Sequence, residues 1–182
     1  KSDKAGYGGE RHLFATGITP DGIISYGKDL SNAYTTKYVI TGGPGLGKTN
    51  ILKAIGNAGQ KKGYFVEYMH DPFSPERLEN IFIPELSTCV VSNNEISLHN
   101  FSGIEYNLMD YCNSNLLASR SAEIEEDSKL FYTLVNKAIS LISKAHLLHD
   151  DMEVYYIKAM DFAVADNIYD SVVKKIEKYE KA

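Results

Sequence analysis

Tryptophan is missing from the 182 residues, and arginine is nearly so: only Arg11, Arg77 and Arg120 occur. Lysine therefore carries almost all the positive charge, and lysine meets an anion as a point charge, not as a planar two-pronged clamp. Positive charge is also in deficit, with 19 Lys and Arg against 24 Asp and Glu for a net charge of −5. That balance argues against nucleic acid or an anionic membrane as the partner that drives function. The 13 tyrosines are spread over strand-like and helix-like stretches and predict packing, not a base-stacking platform. Cysteine is scarce too. Cys89 and Cys112 lack CxxC spacing and read as free thiols of a reducing cytoplasm, with one disulfide as the alternative. No run approaches the roughly 20 apolar residues of a membrane-spanning helix, and no secretory signal is visible. The chain opens Lys1-Ser2-Asp3-Lys4 without a methionine, which predicts a fragment of a longer protein.

What is present fits one globular domain over residues 11–182, preceded by a glycine-bearing linker over 1–10. Pro20-Asp21-Gly22 supplies a preset φ, a side-chain acceptor and a positive-φ residue in turn, predicting a hairpin between 12 and 26. Lys37-Tyr38-Val39-Ile40-Thr41 reads as a buried parallel strand that ends in glycines. Residues 49–62 follow a helical period, with Ile51, Leu52, Ile55 and Ala58 on one face and Gly63 as the stop. Residues 64–69 form a second strand, which completes a βαβ unit. Ser74, Pro75 and Glu76 predict the cap and first turn of a short helix. Ile81-Phe82-Ile83 and residues 88–91 read as two short strands. Residues 92–128 are polar and predict a mobile lid. Apolar spacing of three and four then predicts two helices, broken at His149-Asp150-Asp151 and folded into a hairpin that lays its apolar stripes on the sheet or on a partner.

One stretch carries specific chemistry. Gly42-Gly43-Pro44-Gly45-Leu46-Gly47-Lys48-Thr49 fits G-x-x-x-x-G-K-[ST] in full, with a strand before it and a helix after it. Glycines let successive N–H groups turn inward onto phosphate oxygens. The helix start aims its unpaired N–H groups and positive dipole end at the same anion. Lys48 supplies a charge for the β- and γ-phosphates, and the Thr49 hydroxyl is the expected Mg²⁺ ligand. The expected binding set is residues 42–49 together with Asn50. The pattern points to a nucleoside triphosphate with Mg²⁺; ATP and GTP both stay open because no N-K-x-D motif occurs.

The loop is flanked by further distinctive runs: residues 11–22, Asp71-Pro72-Phe73-Ser74-Pro75-Glu76, and Ile83-Pro84-Glu85-Leu86. Together they resemble the uncharacterised two-domain ATPases of Gram-positive bacteria, in which two related P-loop halves are joined in tandem. The chain is similar to the second half over nearly all its length. The resemblance implies an α/β P-loop NTPase-type sheet flanked by helices, a cytoplasmic ATPase, and the N-terminal half or a second copy as partner.

Hydrolysis needs a further acid at a strand end. Asp71, after the second strand, is the leading candidate and the expected catalytic partner of Lys48; Glu67, Glu85 and Asp110 are the others. Asp71 also has a plainer reading as a turn residue, since Asp-Pro is ordinary turn chemistry. Residues 88–91 end in Ser92-Asn93-Asn94 and not in an acid. Arg77 and Arg120 are candidate γ-phosphate sensors. His146, His149, Asp150 and Asp151 make a metal-like group that a helix end followed by a polar loop explains better. Three functions stay open: an ATPase, a small-molecule kinase with Asp71 as base, and a nucleotide sensor without turnover.

Overall fold

The computed structural model describes residues 6–96 and 99–180. Its contacts divide the chain into two compact units, Lys1–Ile139 and Ser140–Ala182. The first is α/β. Its strands are β1 (Glu10–Leu13), β2 (Thr16–Thr19), β3 (Gly22–Ser25), β4 (Thr36–Thr41), β5 (Val66–Asp71), β6 (Ser74–Ile83), β7 (Thr88–Ser92) and β8 (Ile104–Asn107). Helices α1 (Gly27–Asn32), α2 (Lys48–Lys61), α3 (Ser114–Ser119) and the start of α4 (Ser121–Ala159) complete it.

Six strands form a mixed sheet in the order β1-β5-β6-β7-β4-β8, and β2 pairs with β3 in the expected hairpin. Within the six-stranded sheet only β6 runs against its neighbours; the sheet's other pairings are parallel. The β4-α2-β5 crossover therefore exists, but β6 and β7 lie between its two strands. Leu52 on α2 packs with Ile40, Val66, Tyr68, Leu78, Ile81, Ile83 and Val90 on one face of the sheet. On the other face Ala15, Val39, Met69, Phe82, Cys89 and Val91 form a second core. Helix α2 meets the sheet through Leu52, Gly56, Gly59 and Gln60 with Ile51 and Ile55 half-buried, whereas Ala58 is exposed.

Three expectations from the sequence need correction. Residues 74–76 begin strand β6 and not a helix: the Phe73 N–H donates to Asp71 Oδ1 at 2.8 Å, closing a tight β5-β6 turn that uses up the proposed helix start. Residues 92–128 are irregular only in part, over the described residues 93–96 and 99–103. They also contribute β8, which pairs with β4, then a 3-10 turn over Leu108–Tyr111, α3 and the first turns of α4. The third concerns the end of the chain. Helix α4 runs unbroken through His149-Asp150-Asp151, where Asp150 pairs with His146 and His149 with Glu153 at exposed i,i+4 positions, and the break falls at Met160-Asp161 before α5 (Phe162–Glu180).

That second unit holds the end of α4 and all of α5. Leu147, Leu148, Tyr155, Tyr156, Ile168, Val172 and Ile176 are all exposed, so these positions of its apolar stripes are not buried within the chain. Among the described residues no helix is long and apolar enough to cross a membrane.

Candidate functional site

Strand β4 ends at Thr41 and the chain turns at once through the glycine loop into α2. Gly42, Gly45 and Gly47 take φ values of +137°, +78° and +84°. Gly47 is the N-cap of α2 in the left-handed region and no side chain caps the helix there. A Cβ on Gly42 would also sit 3.0 Å from Leu46 Cδ1 and 3.1 Å from Leu108 Cβ. Glycine is thus required twice over, by conformation and by space. The uncapped helix start leaves N–H groups and the positive end of the helix dipole facing outward, an arrangement that suits an anion.

Lys48 folds back over the loop: its Nζ donates to the carbonyls of Gly42 at 2.6 Å and Gly43 at 2.9 Å. Burial lowers its ammonium below the ordinary lysine value; Arg77 pushes the same way and Glu95 pushes back. A lysine held in this state gains from an incoming anion. The Thr49 hydroxyl accepts from the Leu78 N–H at 3.2 Å, which ties the start of α2 to β6. Asn50 donates its N–H to the Gly47 carbonyl at 3.0 Å.

The loop opens on a cleft of about 340 Å³. Pro44, Gly45, Leu46, Gly47, Lys48, Thr49 and Asn50 form one wall, and Asp71, Arg77, Ser92 and Glu95 stand on the others. Asp71 closes β5 and is 7% exposed. Burial raises its carboxyl above the usual aspartate value, against the Phe73 N–H and Arg77, with Glu95 adding to the rise.

How Arg77 reaches the cleft follows from register. His70 pairs with Leu78 but Asp71 pairs with Ser74. One step on β5 thus matches four on β6, and Pro75, Glu76 and Arg77 are pushed out of the ladder. Pro75 has no N–H to lose there. Of the three arginines, Arg11 pairs with Glu67 and Arg120 with Glu123; Arg77 makes no ion pair among the described residues.

The structure therefore brings together the glycine loop, Lys48, Thr49, Asn50, Asp71 and Arg77. Glu67, Glu85, Asp110 and Arg120 are not among the described residues that line the cleft. Sequence reasoning missed two acids. Glu95 lies three residues past the end of β7, the strand beside β4; an acid just beyond Ser92-Asn93-Asn94 was the available signal. Glu79 is buried behind the cleft, where its Oε2 accepts from Thr16 Oγ1 at 2.7 Å and its Oε1 from Asn94 Nδ2 at 2.6 Å. Burial raises its carboxyl above the ordinary glutamate value, the two hydrogen bonds opposing.

Elsewhere, His149, Asp150 and Glu153 in the second unit bring ligand-type atoms within 4.8 Å of one another, all exposed. Their i,i+4 spacing on one helix accounts for them as solvated pairs. Comparison with protein-family models, with curated proteins and with solved structures gives no match for this chain.

Proposed function

We propose that this chain binds a nucleoside triphosphate, with ATP the expected nucleotide, and hydrolyses it. The observation that carries the reading is a glycine loop in G-x-x-x-x-G-K-[ST] spacing that joins a strand to an uncapped helix start and opens on a cleft with Lys48, Asp71 and Arg77 in its walls. In this reading the α2 N-terminus and Lys48 hold the β- and γ-phosphates, Lys48 exchanging the Gly42 and Gly43 carbonyls for phosphate oxygens. The oxygen-only donors of the cleft, the Thr49 hydroxyl with Asp71 and Glu95 nearby, suit Mg²⁺, a hard cation. Mg²⁺ supplies neutralisation of developing phosphate charge. Thr49 is its expected ligand. Asp71, with its raised proton affinity, orients and deprotonates the attacking water, and Arg77 offers its guanidinium to the transferring phosphoryl group.

The P-loop NTPase fold, the tie to tandem ATPases, the cytoplasmic setting and a partner in the N-terminal half or a second copy belong to the same proposal. A kinase is the second reading. The specific observation in its favour is Asp71, a buried carboxylate on the cleft wall, placed to take a proton from an acceptor hydroxyl as readily as from water.

Phosphate release from MgATP by the wild type and by Asp71→Asn tests the assignment. The variant should bind ATP as before and lose about 10²-fold or more in release. Unchanged release would return Asp71 to a turn residue. Release by the wild type only when an acceptor is added would favour the kinase; binding with neither activity would leave a sensor.

A further inference from the structure

Two cleft acids, Asp71 at the end of β5 and Glu95 beyond β7, lie on separate segments, and one helix touches the Phe73 ring that follows the first and the backbone of the second. Phe131 of α4 lies with its ring centroid 6.2 Å from that of Phe73, and Phe73 donates its N–H to Asp71 Oδ1. The next residue, Tyr132, donates its hydroxyl to the Glu95 carbonyl at 2.8 Å. The two rings brace each other edge to face at 5.4 Å. One turn further along, Val135 is 6% exposed and anchors the same side of the helix. Packing alone asks only for apolar rings at these positions. It does not ask for a hydroxyl aimed at the backbone of one acid loop beside a ring seated on the other.

We propose that α4 is the sensing element of the cleft: Phe131 and Tyr132 couple the Asp71 and Glu95 loops to the helix, so that a bound nucleoside triphosphate is registered in α4. The inference rests on the nucleotide reading above. Two carboxylates in one cleft repel each other, and a nucleotide arriving with its Mg²⁺ changes the field that both experience. Any shift of either loop reaches α4 through a ring contact or a hydrogen bond. The coupling is reciprocal: whatever holds α4 in one position changes nucleotide affinity by the same factor. Helix α4 belongs to both units, since it runs on past Ile139. Phe131 and Tyr132 are positioning residues in this scheme and touch no nucleotide.

Hydrogen-deuterium exchange on the whole chain tests this, with calorimetry alongside to score binding separately. The probe is a non-hydrolysable ATP analogue with Mg²⁺. In the wild type, exchange should slow at residues 93–96 and also in α4 around 128–138. In Phe131→Ala/Tyr132→Phe, and more weakly in Tyr132→Phe alone, binding should persist while the α4 response is lost and the 93–96 response remains. The single variant removes one exposed hydroxyl and guards against a folding defect in the double. A wild type that binds without any change in α4, or a double variant that keeps the α4 response, would overturn the coupling. No binding by calorimetry would overturn the nucleotide reading and the coupling with it.

Discussion

Glu79 shows how one misfit residue shapes the neighbourhood of the cleft. Met69 pairs with Asn80 and His70 with Leu78, so Glu79 is an extra residue in β6, a bulge that re-aims a side chain beside a site. Its carboxyl is buried between the Thr16 hydroxyl and the Asn94 amide, and burial lifts its proton affinity above the ordinary value of 4.5. An acid whose folded value is raised contributes stability that is fully present below 4.5 and is lost as pH rises through the folded value. Glu79→Gln removes that titration while its altered hydrogen bonding with Asn94 adds an offset that does not vary with pH. Melting curves of both proteins between pH 4 and 7 should therefore show the difference moving in the variant's favour as pH rises. A pH-independent difference would mean that burial does not perturb Glu79. No sequence rule flags this residue, because a glutamate in Glu76-Arg77-Leu78-Glu79-Asn80 looks solvated. Only the bulge buries it. Glu95 is hard to read for another reason: the usual acid of such a site stands at the strand's last position, and this one stands beyond a polar turn.

Among the elements, α2 was legible and the β5-β6 hairpin was not. The glycine motif, the apolar spacing of Ile51, Leu52 and Ile55, and the stop at Gly63, with φ +80°, all agree on α2. In β6 the local signals conflict. Ser74-Pro75-Glu76 is good helix-start chemistry, yet Asp71 takes the Phe73 N–H and the register jump absorbs the proline, so tertiary pairing overrides propensity. Close packing of α2 gives a test of its own. A Cβ on Gly56 would lie 2.4 Å from the Tyr68 hydroxyl oxygen, and that hydroxyl is fixed by donating to Gln60 Oε1 at 2.8 Å. Alanine in place of glycine in an unhindered helix gains roughly 1 kcal/mol, whereas overpacking costs about 1–3 kcal/mol. Gly56→Ala should therefore destabilise, by about 1 kcal/mol in urea unfolding. A stabilised variant would mean that α2 stands off the sheet further than the structure shows.

At the scale of the molecule, alternating strand and helix signals were enough for the α/β class, but not for strand order. The order depends on β6 and β7 inserting between β4 and β5, a long-range choice that no local pattern records. Nor did the apolar spacing of the last fifty residues say whether their stripes are buried. That spacing reports a face, not its partner, and here Ile168, Val172 and Ile176 are exposed. The proposed nucleotide binding depends on the glycine loop and not on the rest of the fold. Calorimetric titration of the wild type and of Lys48→Ala with ATP and Mg²⁺ tests it most directly. Saturable binding is expected of the wild type and a loss of about 100-fold or more of the variant, because the charge-assisted contacts of the lysine with phosphate are gone. Equal affinity in the two proteins, or no binding by the wild type, would contradict the proposal.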